Sequence, residues 1–357
     1  MPTSSPREAE IMREDRIPPD DLRTTAAAMG LFGYAIPAEW GGLGLDLTQD
    51  VELAMEFGYT TLALRSMFGT NNGIAGQVLV GFGTDEQRKA WLERIASGEV
   101  VASFALTEPG GQVRTRRGLR TRARRDGAGW VIDGQKQFIT NAPPIADLFV
   151  VFARTADPLP GSPGIAVFLV PADTPRLLVG PKDHKMGQEG AWTSDVTLDG
   201  VRVPADALVG GEEEVGYRAA MTSLARGRVH IAALAVGTAQ RALEEAVSHA
   251  AGNTQGDGRI GGDFQLVQAM LADIQTGVLA GRAMVRETAR AYVSGEDRRI
   301  APPSATKLFC TEMAGTVADL AVQVHGGSGY MREVPVERIY RDVRLLRLYE
   351  APARSSA

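Results

Sequence analysis

Cysteine is nearly missing from this 357-residue chain, which carries only Cys310. One cysteine cannot close an internal disulfide, so the fold must rest on a packed core, and a reducing, cytoplasmic setting is expected. Cys310 sits in an apolar helical pattern, where a buried structural thiol is the expectation and a nucleophile is not. Long apolar runs are missing too. No stretch is long enough to span a bilayer, and residues 1–21 are polar and charged, without the apolar core of a signal peptide. A charge excess is also lacking: 38 Lys and Arg stand against 43 Asp and Glu, and a net charge of -5 leaves no footprint for nucleic acid or an anionic membrane. There are no internal repeats and no low-complexity segments. What remains is a soluble composition in a chain long enough for two or three domains with full cores.

Periodicity divides the chain into three regions and predicts an α+β multidomain fold. Residues 1–101 read as an N-terminal α-helical domain, with helices over 22–29, 47–59 and 85–96 and a Gly- and Pro-rich break near Ile36-Pro37. Residues 102–210 read as a compact, barrel-like β domain. Its strand signals lie at 148–153, 165–170 and 196–203, and Asp133-Gly134 predicts a tight hairpin turn. Residues 211–357 return to helical periodicity over 215–250, 264–293 and 302–324. With a shorter segment ending near Leu348, these predict a four-helix bundle.

Three motifs stand out. The first is Gln323-Val-His-Gly326-Gly327-Ser-Gly-Tyr330, continued by Glu333, Arg338, Asp342 and Glu350. The second is Phe104-Ala-Leu106-Thr107-Glu108-Pro109-Gly110, and the third Lys136-Gln-Phe138-Ile-Thr140-Asn141-Ala142. Each alone has an ordinary reading: a helix stop, a strand end before a Pro-Gly turn, a core aromatic, a solvated carboxylate at a helix end. The glycine run follows a helix instead of a strand, so it is not a dinucleotide phosphate loop.

Taken together and in order, these motifs resemble the acyl-CoA dehydrogenase family over about residues 20–350. Met186-Gly187, Val201-Arg-Val203-Pro204 and Arg228 also fall where the family has equivalents. The resemblance implies an α,β-desaturation of an acyl thioester, carried by coenzyme A or by an acyl carrier protein. Glu350 would remove the α proton, its backbone N–H would help bind the thioester oxygen, and Arg228 would bias its charge. FAD would take the β hydride, with Phe104, Leu106, Thr107, Phe138 and Thr140 on the flavin ring side. Gln265, Gln323, Gly326 and Gly327 would serve the dinucleotide. No metal is implied. The implied partners are an electron-transfer flavoprotein and further copies of the chain, in a homodimer or homotetramer.

The chain departs from the family pattern mainly where cofactor phosphates are held. Gln112-Val113-Arg114 replace Gly-Ser-Asp, and valine has no hydroxyl to donate. Thr254 and Asp257 replace an arginine and a phenylalanine. Ala351-Pro352 replace Gly-Thr after the base, and most of the usual first helix is lacking. The basic run Arg114, Arg116, Arg117, Arg120, Arg122, Arg124 and Arg125 reads as a solvated charge run, with phosphate binding as the alternative. These losses imply FAD that is weakly bound or absent. They leave two alternatives open: a flavin-independent isomerase or cyclase using the same base, or one subunit of a hetero-oligomeric dehydrogenase.

Overall fold

The computed structural model describes residues 8, 10–11, 14–110, 119–155, 164–296 and 301–350. Its first region is helical for local reasons. Helix α1 (Asp20–Ala28) stops just before Gly30, which takes a left-handed φ of 74°. Asp46 and Thr84 each form a capping box, so α2 (Leu47–Phe57) starts at one and α5 (Asp85–Ser97) at the other. Between them lie α3 (Leu62–Asn72) and α4 (Ile74–Phe82). Periodicity does not predict these two helices. Nearly every residue of α3 is buried, so it has no polar stripe to set against an apolar one. Ahead of α1, residues 8, 10 and 11 are helical, and Ile11 packs on Ala63 and Ala191.

The middle region is a curled mixed sheet of seven strands: β1 (Ala102–Ala105), β2 (Arg122–Asp126), β3 (Gly129–Thr140), β4 (Leu148–Thr155), β5 (Ile165–Pro171), β6 (Leu177–Val179) and β7 (Thr193–Pro204). Strand β4 pairs with β5 on one side and with β1 and then β2 on the other, and the sheet continues through β3 and β7 to β6. Pairing is parallel for β1–β4 and β2–β4 and antiparallel elsewhere.

Asp133-Gly134 is not a hairpin turn. Strand β3 runs straight through it and takes a register shift there against β7. Gly134 is needed because the backbone passes Thr121 so closely that a Cβ would lie 2.5 Å from Thr121 Oγ1. The real reversal is the β2–β3 turn at Gly127, where φ is 60°.

The last region holds α6 (Val215–Gly252), α7 (Gln265–Ser294), α8 (Ala301–His325) and α9 (Pro335–Leu346), three long helices and a short one, as the periodicity predicts. Their shared core includes Val229, Leu234, Ile274, Val285, Val317 and Leu346. Cys310 is buried in it, and burial pushes the thiol up to about 12. Thr254 and Asp257 lie on a small exposed hairpin of β8 (Thr254–Gln255) and β9 (Gly258–Arg259) between α6 and α7. No helix among the described residues is long and apolar enough to cross a membrane.

Candidate active site

Helix α9 brings Glu350 into place. It is tied to the segment before β7 by Asp342, which accepts from the backbone N–H of Gln188, and by the Arg341–Glu189 ion pair. Arg338 is paired with Glu8 at 2.6 Å. Beyond this anchored helix the chain turns, and Glu350 adopts a left-handed φ of 53°. Such a backbone is uncommon for a residue with a side chain, and it recurs at functional sites.

The Glu350 carboxylate lies on α6 at Gly227. A Cβ at Gly227 would sit 2.1 Å from Oε2 and 2.7 Å from Cδ, so only glycine leaves room for the acid there. The residue as a whole is half-buried, yet Oε2 is fully enclosed and has no hydrogen-bond partner among the described residues. Burial pushes the Glu350 carboxyl up to about 7, against the pull of Arg65, Lys307 and Arg228. Arg228, next to Gly227, is buried; its Nε donates to the Glu350 carbonyl at 3.3 Å and its Nη1 to Ser304 Oγ at 3.1 Å. Lys307, one turn beyond Ser304 on α8, is fully buried, and burial lowers its amine to about 8.

A second cluster forms on the sheet. Gln137 N donates to Thr107 O at 2.9 Å, and Ser103 Oγ donates to Thr140 O at 2.7 Å, so the ends of β1 and β3 lie together. Beneath them Lys136 and Glu108 make a fully buried ion pair at 2.7 Å. Lys136 also donates to Leu106 O and Phe152 O, and Glu108 accepts from the backbone N–H groups of Arg120 and Thr121. Above this anchor Thr107 is exposed, and Phe138 is 60% exposed at a φ of 60°. A large aromatic is thus held open as an exposed shelf, on a backbone conformation uncommon for a residue with a side chain. Phe104 is half-buried against Phe152, their ring centroids 4.8 Å apart, and the Leu106 side chain belongs to the core.

The shelf is tied to α3. Asn141, just after Thr140, donates from Nδ2 to Ser66 O at 2.9 Å and to Thr70 Oγ1 at 3.1 Å. The four other predicted cofactor residues lie apart from the shelf. Gln265 opens α7, and Gln323, Gly326 and Gly327 close α8; all are exposed, and none hydrogen-bonds to the shelf among the described residues. Gln112, Val113, Arg114, Arg116, Arg117, Ala351 and Pro352 lie outside the described residues. Arg120, Arg122, Arg124 and Arg125 are exposed, with Arg125 paired to Glu213 at 2.8 Å. No cluster of metal-ligating side chains is found among the described residues.

Sequence reasoning missed Gly227, Arg65, His230, Asp50 and Lys307. Its usable signal was a set of charged residues inside otherwise apolar helices, such as Arg65 in Leu62-Ala-Leu-Arg-Ser-Met-Phe68.

Helices on both sides of a curled mixed sheet, a buried carboxylate at the end of the last helix and an exposed aromatic shelf on the sheet together define a known architecture. The chain belongs to the acyl-CoA dehydrogenase family. Models of that family's N-terminal, middle and C-terminal domains match residues 3–99, 103–201 and 214–352. Among its relatives is the 3-(aryl)acrylate reductase of Clostridium sporogenes, 35% identical over 93% of this chain and 86% of that one. The human mitochondrial short-chain specific acyl-CoA dehydrogenase is 34% identical over 97% of this chain and 82% of its own length. A solved acyl-CoA dehydrogenase from Bacillus anthracis complexed with FAD superposes with a TM-score of 0.85 at 30% identity, covering 94% of this chain and 59% of that chain.

Proposed function

We propose that this chain is an FAD-dependent acyl-thioester dehydrogenase in which Glu350 moves the α proton. The observation that carries this reading is the enclosed Glu350 Oε2, packed on Gly227 without a hydrogen-bond partner among the described residues, in a carboxyl that burial raises to about 7. A thioester α C–H is a weak acid, and its removal needs a base whose affinity for the proton matches the working pH. A solvated carboxylate falls short by several units; burial makes up the difference. The enclosed site keeps water from competing, and Arg228 fixes the base by holding its backbone carbonyl.

The sheet fits the other half of the reaction. Phe138 offers an open aromatic face, Thr107 an exposed hydroxyl beside it, and the Lys136–Glu108 pair fixes both strand ends. Phe138, Thr107 and Thr140 would hold the flavin ring, and Gln265, Gln323, Gly326 and Gly327 would reach the dinucleotide in an oligomer. When bound, FAD supplies the hydride acceptor that no side chain can provide. The same geometry serves the reverse direction, in which Glu350 returns the proton to the α carbon. The acyl group would arrive on coenzyme A or a carrier protein, and an electron-transfer flavoprotein would complete the redox cycle.

Acetyl-CoA has α hydrogens and no β carbon, so the enzyme can exchange its protons but cannot oxidise it. In deuterated water the protein should label acetyl-CoA, and Glu350→Gln should abolish labelling without unfolding the chain. Undiminished labelling by Glu350→Gln removes Glu350 from the mechanism.

A further inference from the structure

Outside the residues already placed at the site, the most unusual group of side chains is a buried charged cluster on α2, α3 and α6. Asp50, Arg65 and His230 are each less than a tenth exposed. His230 Nδ1 lies 2.8 Å from Asp50 Oδ1, Arg65 Nε lies 3.1 Å from His230 Nε2, and Arg226 Nη2 lies 3.0 Å from Asp50 Oδ2. An arginine nitrogen can only donate, so His230 Nε2 must accept and the imidazole proton must sit on Nδ1, facing Asp50. His230 is therefore held neutral. Burial lowers its affinity for a second proton, consistent with that tautomer.

This arrangement leaves Arg65 without a direct ion-pair partner among the described residues, although its charge acts on both Asp50 and Glu350. Asp50 is the one carboxylate in the cluster, and its direct cationic partner is Arg226, while the Arg65 Nε hydrogen bond goes to the neutral His230 ring. The guanidinium lies flat on its own helix at Gly69, where a Cβ would meet Cζ at 2.8 Å. His230 is one turn from Gly227 on α6, and residues three apart share a helix face. Arg65 is thus hydrogen-bonded to a residue one helical turn from the glycine on which Glu350 rests.

We infer that Arg65 is a positioning residue for the base: the chain Asp50–His230–Arg65 holds a fixed positive charge near Glu350 and keeps it a carboxylate in its buried position. This rests on the reading of Glu350 as the base. The charged and titratable groups that face Glu350 are Arg65 from α3, Lys307 from α8, Arg228 from α6, Asp50 from α2 and the adjacent Tyr349. Arg65 is the foremost of the cations. Arg228 and Lys307 add to its effect and Asp50 opposes it.

The test is the pH dependence of acetyl-CoA deuteration by the full-length protein and its Arg65→Met, Arg65→Lys, His230→Gln and Glu350→Gln variants. In Arg65→Met the rising limb should move to higher pH, with a roughly ten-fold loss at pH 7 for each unit of movement, recovered in more alkaline buffer. Arg65→Lys keeps the charge and His230→Gln keeps an acceptor for Arg65, so both should retain the native profile. These two variants decide the matter if Arg65→Met does not fold. A shifted limb in Arg65→Lys overturns the inference. So does an unmoved limb in Arg65→Met accompanied by a higher KM, which would make the guanidinium a substrate contact. Loss of exchange in Glu350→Gln with no pH shift in Arg65→Met defeats this inference alone; persistent exchange in Glu350→Gln defeats the reading beneath it.

Discussion

Replacing Gly227 by alanine should separate catalysis from stability. The added methyl would stand 2.1 Å from Glu350 Oε2, 2.7 Å from Cδ and 2.9 Å from Oε1, whereas ordinary contacts begin near 3.4 Å. The carboxylate must therefore retreat by more than an ångström. Helix α6 is packed along most of its length and cannot give way, while the Glu350 side chain rotates about several bonds. A displacement of this size at a reacting group costs about 100-fold in rate. Alanine in a helix interior is also more favourable than glycine by about 0.5–1 kcal/mol. The expected variant thus loses about two orders of magnitude in acetyl-CoA deuteration while melting no lower than the parent. NMR gives the exchange rate and circular dichroism the melting curve. Full exchange activity in Gly227→Ala would refute the placement of the base over that glycine. A large fall in melting temperature would show that the helix, and not the acid, absorbs the clash.

Three further expectations follow from the buried charges and the exposed ring. The Glu350 carboxyl stands at about 7 when folded against an ordinary 4.5, so ionising it opposes folding. The stability it costs is absent below pH 4.5 and reaches about 3 kcal/mol above pH 8. Urea unfolding should accordingly find Glu350→Gln level with the parent in acid and more stable in base; the reverse trend would contradict the burial of the carboxylate. Lys136→Met strips Glu108 of its ion-pair partner among the described residues and should cost about 3–5 kcal/mol in the same assay, and a loss under 1 kcal/mol would mean water reaches the pair. Phe138→Ala removes a ring that is 60% exposed, so the melting temperature should hold. Its FAD affinity, followed by flavin fluorescence, should weaken by about three- to ten-fold, and an unchanged Kd would take Phe138 out of the flavin site.

Much of the fold is legible in the sequence because its signals are local. Capping residues Asp46 and Thr84 mark the helix starts, and the long apolar periods of α6, α7 and α8 are each readable within one segment. Helix α3 escapes notice because burial on almost all faces erases the period. Asp133-Gly134 misleads because glycine serves close approach as readily as reversal. At the site, the motif leads to Glu350 and Arg228, but nothing local to residue 350 shows that its carboxylate is enclosed. That fact depends on Gly227, which contributes only space, and the charge that acts on it comes from Arg65, which meets His230, 165 residues away, through tertiary packing alone.

The docking of α9 has a consequence for how the protein fails. Among the described residues Glu350 has no hydrogen bond to the sheet; it is held by Arg228 at its carbonyl and follows a helix fastened through Asp342 to Gln188 and through Arg341 to Glu189. Asp342 is itself fully buried, and burial pushes its carboxyl up to about 6. Releasing that clasp, together with the Arg228 hydrogen bond and the apolar packing of Val343 and Leu346, would displace Glu350 while the sheet and the three long helices stayed folded. Heat inactivation should therefore precede loss of secondary structure, so an activity half-life would report the grip of one short helix and not the cohesion of the whole chain.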